Sequence, residues 1–135
     1  AQQYGALKLT EAAKPVLKGE WLRPGTHVNA VGSNHWQRRE LDEAAVRHAA
    51  VIVVDDLPQA KSECGDLLWA HERGAFRWEH VVTLGDVVAG RLPGRQSAAA
   101  VTLFESQGIG VEDVAAGMHV YRKARERGMG REVAL

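Results

Sequence analysis

The chain has 135 residues, of which 45% are hydrophobic and 25% charged, which is enough for one hydrophobic core and too little for two domains. Lysine plus arginine and aspartate plus glutamate number 17 each, so the formal net charge is +0, which argues against nucleic acid or an acidic membrane as a partner. The lone cysteine, Cys64, cannot form an internal disulfide, and no signal peptide or spanning apolar run is visible. We expect a single domain over residues 1–135, located in the reducing cytoplasm.

The first predicted elements are two strands and a helix. Alternating leucines predict a short strand over Ala6–Glu11. A Pro-Gly turn at Arg23–Gly25 then leads into a strand over Thr26–Val31. Asp42 is placed to cap the next helix. The buried positions of that helix follow at helical spacing and are Ala45, Val46 and Ala49.

The middle of the chain predicts a buried strand and one long helix. Val51–Val54 is a continuous apolar run, which is typical of a central parallel strand covered on both faces. Pro58 fits the first turn of a helix. An apolar stripe at helical spacing continues over Leu57–His71, and Gly74 ends the helix. Cys64 belongs to this stripe, so we predict that it is a core residue.

The last part of the chain predicts two more strands and a long helix. These elements are Val81–Leu84, Val101–Ser106 and Val111–Gly128. Between the two strands, a short helical turn over Gly85–Ala89 precedes a loop over Gly90–Ala99. The basic residues that end the last helix suit the negative end of its dipole, and Glu126 among them argues against a polyanion site. Strands and helices in alternation predict an α/β fold with a mostly parallel sheet and a long C-terminal helix.

The most informative residues lie where the strand over Thr26–Val31 ends. A turn of Gly32, Ser33 and Asn34 follows this β-branched, alternating strand, and a donor-rich loop comes next, over His35–Asp42. In open parallel sheets, ligands bind outside the carboxyl ends of the strands. Function is therefore to be sought at this strand end and in its loop.

Five motifs in register resemble the ornithine cyclodeaminase and mu-crystallin family. They are VNAVGSN followed by RRELD, then VIVVDD, GDLLWA, VTLGDVVAGRLPGRQS and VTLFESQGIGVEDVAAG. The resemblance runs from Pro15 to Gly130. Family members are considerably longer, so the resemblance implies that only their carboxy-terminal portion is present. The fold that it implies is a partial Rossmann-like three-layer domain. Residues 14–130 form the family-like region, residues 1–13 an atypical segment and residues 131–135 a tail.

The resemblance implies NAD or NADP as the cofactor. The residues that it assigns to cofactor binding are Val31, Gly32, Ser33 and Asn34 at the strand end, Arg38 in the loop, and Ser97. The strand end corresponds to backbone along the nicotinamide, where small side chains permit close approach. Arg38 corresponds to a basic residue and Ser97 to a serine that contact the dinucleotide. Without the resemblance, a surface-loop position is the better interpretation of each.

Two positions depart from the chemistry that the resemblance implies. Asn34 stands where cyclodeaminases carry an aspartate that acts on the substrate amine and water, and an amide cannot be a general base. Asn34 can still hold a substrate or a carboxamide by hydrogen bonds. Ala98 replaces an acidic residue that meets the substrate. Asn34 is therefore at a catalytic position without the catalytic group, and ornithine is not expected as the substrate.

The phosphate-binding features of a Rossmann domain do not occur in the sequence. Neither the Gly-rich turn after the first strand nor the ribose-binding acid is found. Gly108-Ile109-Gly110 lies between a strand and a helix, as a phosphate-binding Gly-rich turn would. Asp113 stands at the third glycine position of that motif and would repel a phosphate, so we interpret these residues as a tight strand-to-helix turn. The scattered histidines, with one cysteine, predict no metal site, and His35 has no paired carboxylate or serine at fixed spacing.

Three hypotheses about function remain. We favour a truncated or split family member, non-catalytic or dependent on a partner chain that supplies the missing half. A second is an independent interaction module, whose exposed edge strand and apolar surface favour a homodimer. The third is an NAD(P)-dependent amino-acid or imine oxidoreductase or deaminase that retains cofactor binding.

Overall fold

The fold is a parallel sheet with helices, seen in a computed structural model that describes residues 6–9, 15–131 and 133. Its strands are β1 (Ala6–Leu9), β2 (His27–Ala30), β3 (Val51–Val54), β4 (Val81–Thr83) and β5 (Thr102–Glu105). All pairings among them are parallel, and the order across the sheet is β1-β2-β5-β3-β4. The predicted α/β class is confirmed.

The helices begin and end largely where the sequence predicts. They are α1 (Glu43–His48), α2 (Leu57–Glu63), α3 (Gly65–Glu72), α4 (Leu84–Val88) and α5 (Gly110–Glu126). The Asp42 carboxylate caps α1 by accepting a hydrogen bond from the Ala45 N–H at 2.8 Å. Pro58 lies in the first turn of α2, and Gly74, at φ +69°, follows the end of α3.

Strand β1 lies at one edge of the sheet. It pairs with β2 in parallel register, with Leu7 beside Val28. The strand predicted over Ala6–Glu11 is thus observed over Ala6–Leu9, and its last two predicted residues lie outside the described residues, as do most of the segment 1–13 and of the tail. Among the described residues, no helix has the length and apolar character needed to cross a bilayer.

The core lies between one face of the sheet and helices α1 to α3. Val28, Leu103 and Ile52 are adjacent across β2, β5 and β3, and all three side chains are buried. Burying an aliphatic side chain of this size stabilises a fold by about 1.5–3 kcal/mol. Cys64 is fully buried in the same cluster, which confirms its predicted place in the core.

One predicted helix is two helices in the structure. The stripe over Leu57–His71 was expected to form a single helix, but Cys64 is extended, at φ −76° and ψ 93°, between α2 and α3. Gly65 begins α3 directly beneath the backbone of the loop after β2: a Cβ there would come within 2.9 Å of the His35 carbonyl oxygen. The expectation failed because the apolar stripe stays in register through the break.

The described residues cover the second face of the sheet only in part. Side chains of β3, β5 and α4 line a cavity of about 720 Å³ on this face, among them Val51, Val53, Leu84, Val87 and Phe104. We call it the second-face cavity. Parallel strands are normally covered on both faces. Helix α5 has no buried residue among its 17, so a sheet face and a helix both present apolar surface that the described residues leave uncovered.

Candidate functional site

The strand end after β2 is fixed by a side chain from the loop that follows. The Gly32 N–H donates to the Glu40 Oε2 at 3.1 Å. Ser33 is buried, whereas Asn34 is exposed. The backbone of this turn is therefore held in place while Asn34 remains accessible to a ligand.

Glu40 is in turn connected to α3 through Asp66. The Asp66 Oδ1 accepts hydrogen bonds from the backbone N–H groups of Glu40, at 2.9 Å, and Leu41, at 2.8 Å. Burial raises the pKa of Asp66 to about 7; the two N–H bonds and Arg39 oppose the rise, and the charge of Glu40 adds to it. The break at Cys64 places Asp66 in the first turn of α3, so the helix break and the anchored strand end belong to one arrangement.

Glu105, the last residue of β5, is a third buried acid beside the strand end, after Glu40 and Asp66. It lies in register between Ala30 and Val54 and is 1% exposed. The Cys64 thiol donates to its Oε2 at 3.5 Å. Burial, with the charge of Asp66, raises the pKa of Glu105 well above its usual range, which favours the neutral acid.

The turn from β5 to α5 is held by a fourth buried acid, Asp55. The Asp55 Oδ2 accepts hydrogen bonds from the Ser106 hydroxyl at 2.7 Å and from the Gly108 N–H at 2.8 Å. Gly108 has φ +80°, which L-residues rarely adopt. This geometry is that of a tight strand-to-helix turn, and Asp113 is exposed in the first turn of α5.

Two buried polar side chains follow adjacent strands and lack hydrogen-bond partners. Ser33, after β2, is 5% exposed and Gln107, after β5, is 6% exposed. Within the described part of the chain, neither the Ser33 Oγ nor the amide atoms of Gln107 make a hydrogen bond. Buried polar atoms normally have a protein, water or ligand partner. At the carboxyl ends of β2 and β5, a polar ligand group could therefore supply the hydrogen-bond partners that Ser33 and Gln107 lack.

Sequence reasoning named Ser33 but missed the buried acids and Gln107. Polar residues directly after the VTLF strand were a visible signal for Gln107. Glu40 and Asp66 lie in the RRELD and GDLLWA motifs. Nothing in the sequence showed that they meet, since they are 26 residues apart and come together only through tertiary structure.

The structure separates Ser97 from the strand end. Arg38 is exposed in the loop after β2, where its N–H donates to the His35 carbonyl at 2.9 Å. Ser97 and Ala98 instead precede β5, and the neighbouring Ala99 carbonyl accepts from the Gly25 N–H at 2.9 Å, beside the amino end of β2. The amino and carboxyl ends of β2 are separated by four strand residues, at about 3.3 Å each. Of the predicted cofactor residues, Val31 to Asn34 and Arg38 lie together, and Ser97 does not join them.

The exposed groups at the strand end favour binding over proton transfer. Asn34 offers an amide and Arg38 a permanent cation, whereas Glu40, Asp66 and Glu105 are buried. Among the described residues, no group of three or more His, Cys, Asp or Glu side chains is placed to hold a metal ion. The arrangement can orient a polar or anionic ligand.

An open parallel sheet with crossover helices and a polar site at the carboxyl ends of its central strands is the arrangement of Rossmann-like α/β proteins. Within this class, the chain belongs to the ornithine cyclodeaminase/mu-crystallin family, whose sequence profile matches residues 6–128. The match includes β1, which lies in the segment 1–13 expected to be atypical.

Similar proteins and solved structures support membership of this family. Alanine dehydrogenase of Archaeoglobus fulgidus is 40% identical over 125 residues, 92% of this chain and 38% of that protein. The structure of Thermococcus litoralis Δ1-pyrroline-2-carboxylate reductase in complex with NADH and L-proline is 36% identical, with a TM-score of 0.81, over 95% of this chain and 39% of that one. An archaeal alanine dehydrogenase dimer with bound NAD is 39% identical, with a TM-score of 0.78, over 96% and 40%. The chain thus spans about two fifths of the length of these relatives.

Proposed function

We propose that this chain contributes the nicotinamide side of an NAD(P) site and depends on a partner for the rest of that site. The observation that carries the proposal is the anchored strand end, where buried Glu40 holds the Gly32 N–H and both Asn34 and Arg38 are exposed. Structures similar to this chain contain NADH or NAD, which supports the choice of cofactor.

The residues at the strand end fit this group. A nicotinamide carboxamide both donates and accepts hydrogen bonds, which suits Ser33, Asn34 and Gln107. The Arg38 guanidinium suits the phosphates. When bound, NAD(P) supplies hydride transfer, and the contribution of this chain is to hold and orient the ring.

We propose binding without catalysis for the chain alone. Asn34 has no basic atom to accept a proton near neutral pH. Of the nearby acids, Glu40 and Asp66 hold backbone N–H groups, and Glu105 is fully buried. A general base for substrate chemistry would then come from the partner.

NADH should shift the backbone amide resonances of Gly32, Ser33 and Asn34 in the ¹⁵N-labelled chain. The dissociation constant should be about 1 mM, or some −4 kcal/mol, because only part of the cofactor contacts is present. Arg38→Ala should weaken this binding roughly threefold to fivefold, as expected for loss of an exposed ion pair. A titration followed by ¹H–¹⁵N correlation spectra measures both effects.

Ser97→Ala serves as the control, because Ser97 lies near the amino end of β2, away from the candidate site at its carboxyl end. It should leave the dissociation constant unchanged, and a loss equal to that of Arg38→Ala would restore Ser97 to the site. Absence of any shift at the highest soluble NADH concentration would contradict cofactor binding. Micromolar binding with turnover of an imine or amino acid would favour the alternative, an NAD(P)-dependent oxidoreductase or deaminase.

Two uncovered apolar surfaces support dependence on a partner. One is the second-face cavity. The other is the α5 stripe, a row of exposed side chains at helical spacing that consists of Val111, Val114, Met118 and Tyr121. Large exposed apolar surface commonly marks an interface. We propose that a second copy of the chain, or a chain carrying the amino-terminal half found in relatives, covers them.

We also propose that the protein is located in the cytoplasm. The buried thiol of Cys64, which forms no disulfide, suits a reducing compartment.

The purified chain should elute as a homodimer in size-exclusion chromatography with light scattering. Met118→Glu should shift it to a monomer, because it places a charge in the middle of the α5 stripe. Val88→Glu is the matched control, since Val88 is 79% exposed on α4 outside both surfaces, and it should leave the dimer intact. A monomeric unmodified chain would remove the second copy as the partner.

A further inference from the structure

The loop after the strand end carries an exposed aromatic pair. Trp36 has 59% of its surface exposed. Its ring centroid lies 6.0 Å from that of His35, with 19° between the ring planes. Indoles are usually well buried because they carry a large apolar surface. The exposure of Trp36 beside a candidate ligand site therefore requires an explanation.

The backbone of this loop is anchored. The Arg38 and Gln37 N–H groups donate to the His35 carbonyl, at 2.9 Å, and to the His35 Nδ1, at 3.2 Å. The carbonyl oxygens of His35 and Trp36 pack so closely on Gly65 that a Cβ there would lie 2.9 and 2.8 Å from them. The indole is thus presented to solvent by a fixed backbone.

We propose that Trp36 is a stacking platform for the nicotinamide ring of the cofactor, with His35 behind it. Trp36 is two residues from Asn34 and two from Arg38, so one anchored loop offers a flat apolar face, an amide and a cation. An aromatic ring that bears a carboxamide and is linked to phosphate matches these three groups together. The inference rests on the proposed function and makes Trp36 a positioning contact.

NADH should shift the indole Nε1–H resonance of Trp36 in parallel with the Gly32 amide. Trp21 is the matched control among the four tryptophans, because it is 57% exposed and precedes β2. Its indole resonance should not move. Trp36→Ala should weaken NADH binding roughly fivefold to tenfold, Trp36→Phe should retain most of the affinity, and Trp21→Ala should have no effect. Thermal unfolding of each variant shows that the fold is retained.

The outcomes separate this inference from the proposed function. If NADH shifts Gly32 but Trp36→Ala binds as tightly as the unmodified chain, the stacking contact is overturned and the cofactor site stands. If NADH shifts no resonance, both are overturned. Reduced nicotinamide mononucleotide should reproduce the Trp36 shift; a shift with AMP in its place would overturn the assignment to the nicotinamide ring.

Discussion

Gly65→Ala should destabilise the fold by about 3 kcal/mol, seen as a lower urea midpoint with an unchanged slope. The new Cβ would lie 2.8 and 2.9 Å from the carbonyl oxygens of Trp36 and His35 and closer still to that of Arg38. All three are backbone atoms of an anchored loop, so no flexible side chain can move aside. Either α3 or the loop after β2 must shift, and both hold the candidate site.

Gly117→Ala is the control for this substitution. Gly117 lies within α5, and a Cβ there would meet no atom of the described residues within 4 Å apart from the backbone of its own helix. Alanine in an exposed helix should therefore stabilise the fold by about 0.5–1 kcal/mol. Equal stability of the Gly65→Ala and unmodified chains would show that α3 does not pack against the loop as described. The amide resonances of Trp36 and Arg38 report whether the loop has moved.

The sheet could be predicted from the sequence because its strands leave local signals. Val51–Val54 is a continuous apolar run and was recognised as a central strand, and Asp42, Pro58 and Gly74 mark helix ends by chemistry that acts over a few residues. The break at Cys64 left no such signal. It is set by contact between Gly65 and a loop far away in sequence, which periodicity cannot reveal.

The position of the candidate site could be predicted from the sequence, but the buried side chains that hold it in place could not. The Gly-Ser-Asn turn after an alternating strand located it, and the family resemblance suggested its ligand. The buried partners that fix it are Glu40, in the loop after β2, and Asp66, in the first turn of α3. Charged residues such as these are mostly exposed, so sequence alone assigns them to the surface. Their pairing depends on the direction in which α3 leaves the break. Ser97 shows the converse, since a motif match did not bring it to the strand end.

Stability should fall by about 4 kcal/mol from pH 4 to pH 7 because of Asp66 alone. Its pKa is raised from 3.8 to about 7, chiefly by burial. Below this window the carboxyl group is protonated in both folded and unfolded chains. Within it, the unfolded chain has released the proton that the folded chain keeps, so rising pH favours unfolding. Above about pH 7 the group is ionised in both states and its contribution is constant.

Asp66→Asn should remove this pH dependence. An asparagine Oδ1 can still accept hydrogen bonds from the Glu40 and Leu41 N–H groups, but it carries no charge to bury. The variant should therefore gain stability relative to the unmodified chain as the pH rises, with urea unfolding measured at pH 4.5 and pH 8. Glu72→Gln, at the exposed end of α3, should leave the pH dependence as it was. A parallel pH profile for Asp66→Asn and the unmodified chain would contradict a neutral, buried Asp66.

The same titration should be visible at the candidate site. Asp66 holds the Glu40 backbone, and the Glu40 side chain holds the Gly32 N–H, so ionisation of Asp66 changes the field at the strand end. Its charge is faced by Arg39, Glu40 and Glu105. The Gly32 amide resonance should shift with a midpoint near pH 7, and Asp66→Asn should abolish that shift. A Gly32 shift that survives in Asp66→Asn would show that another group titrates there. The hydrogen bonds would then connect α3 to the strand end without transmitting the ionisation of Asp66.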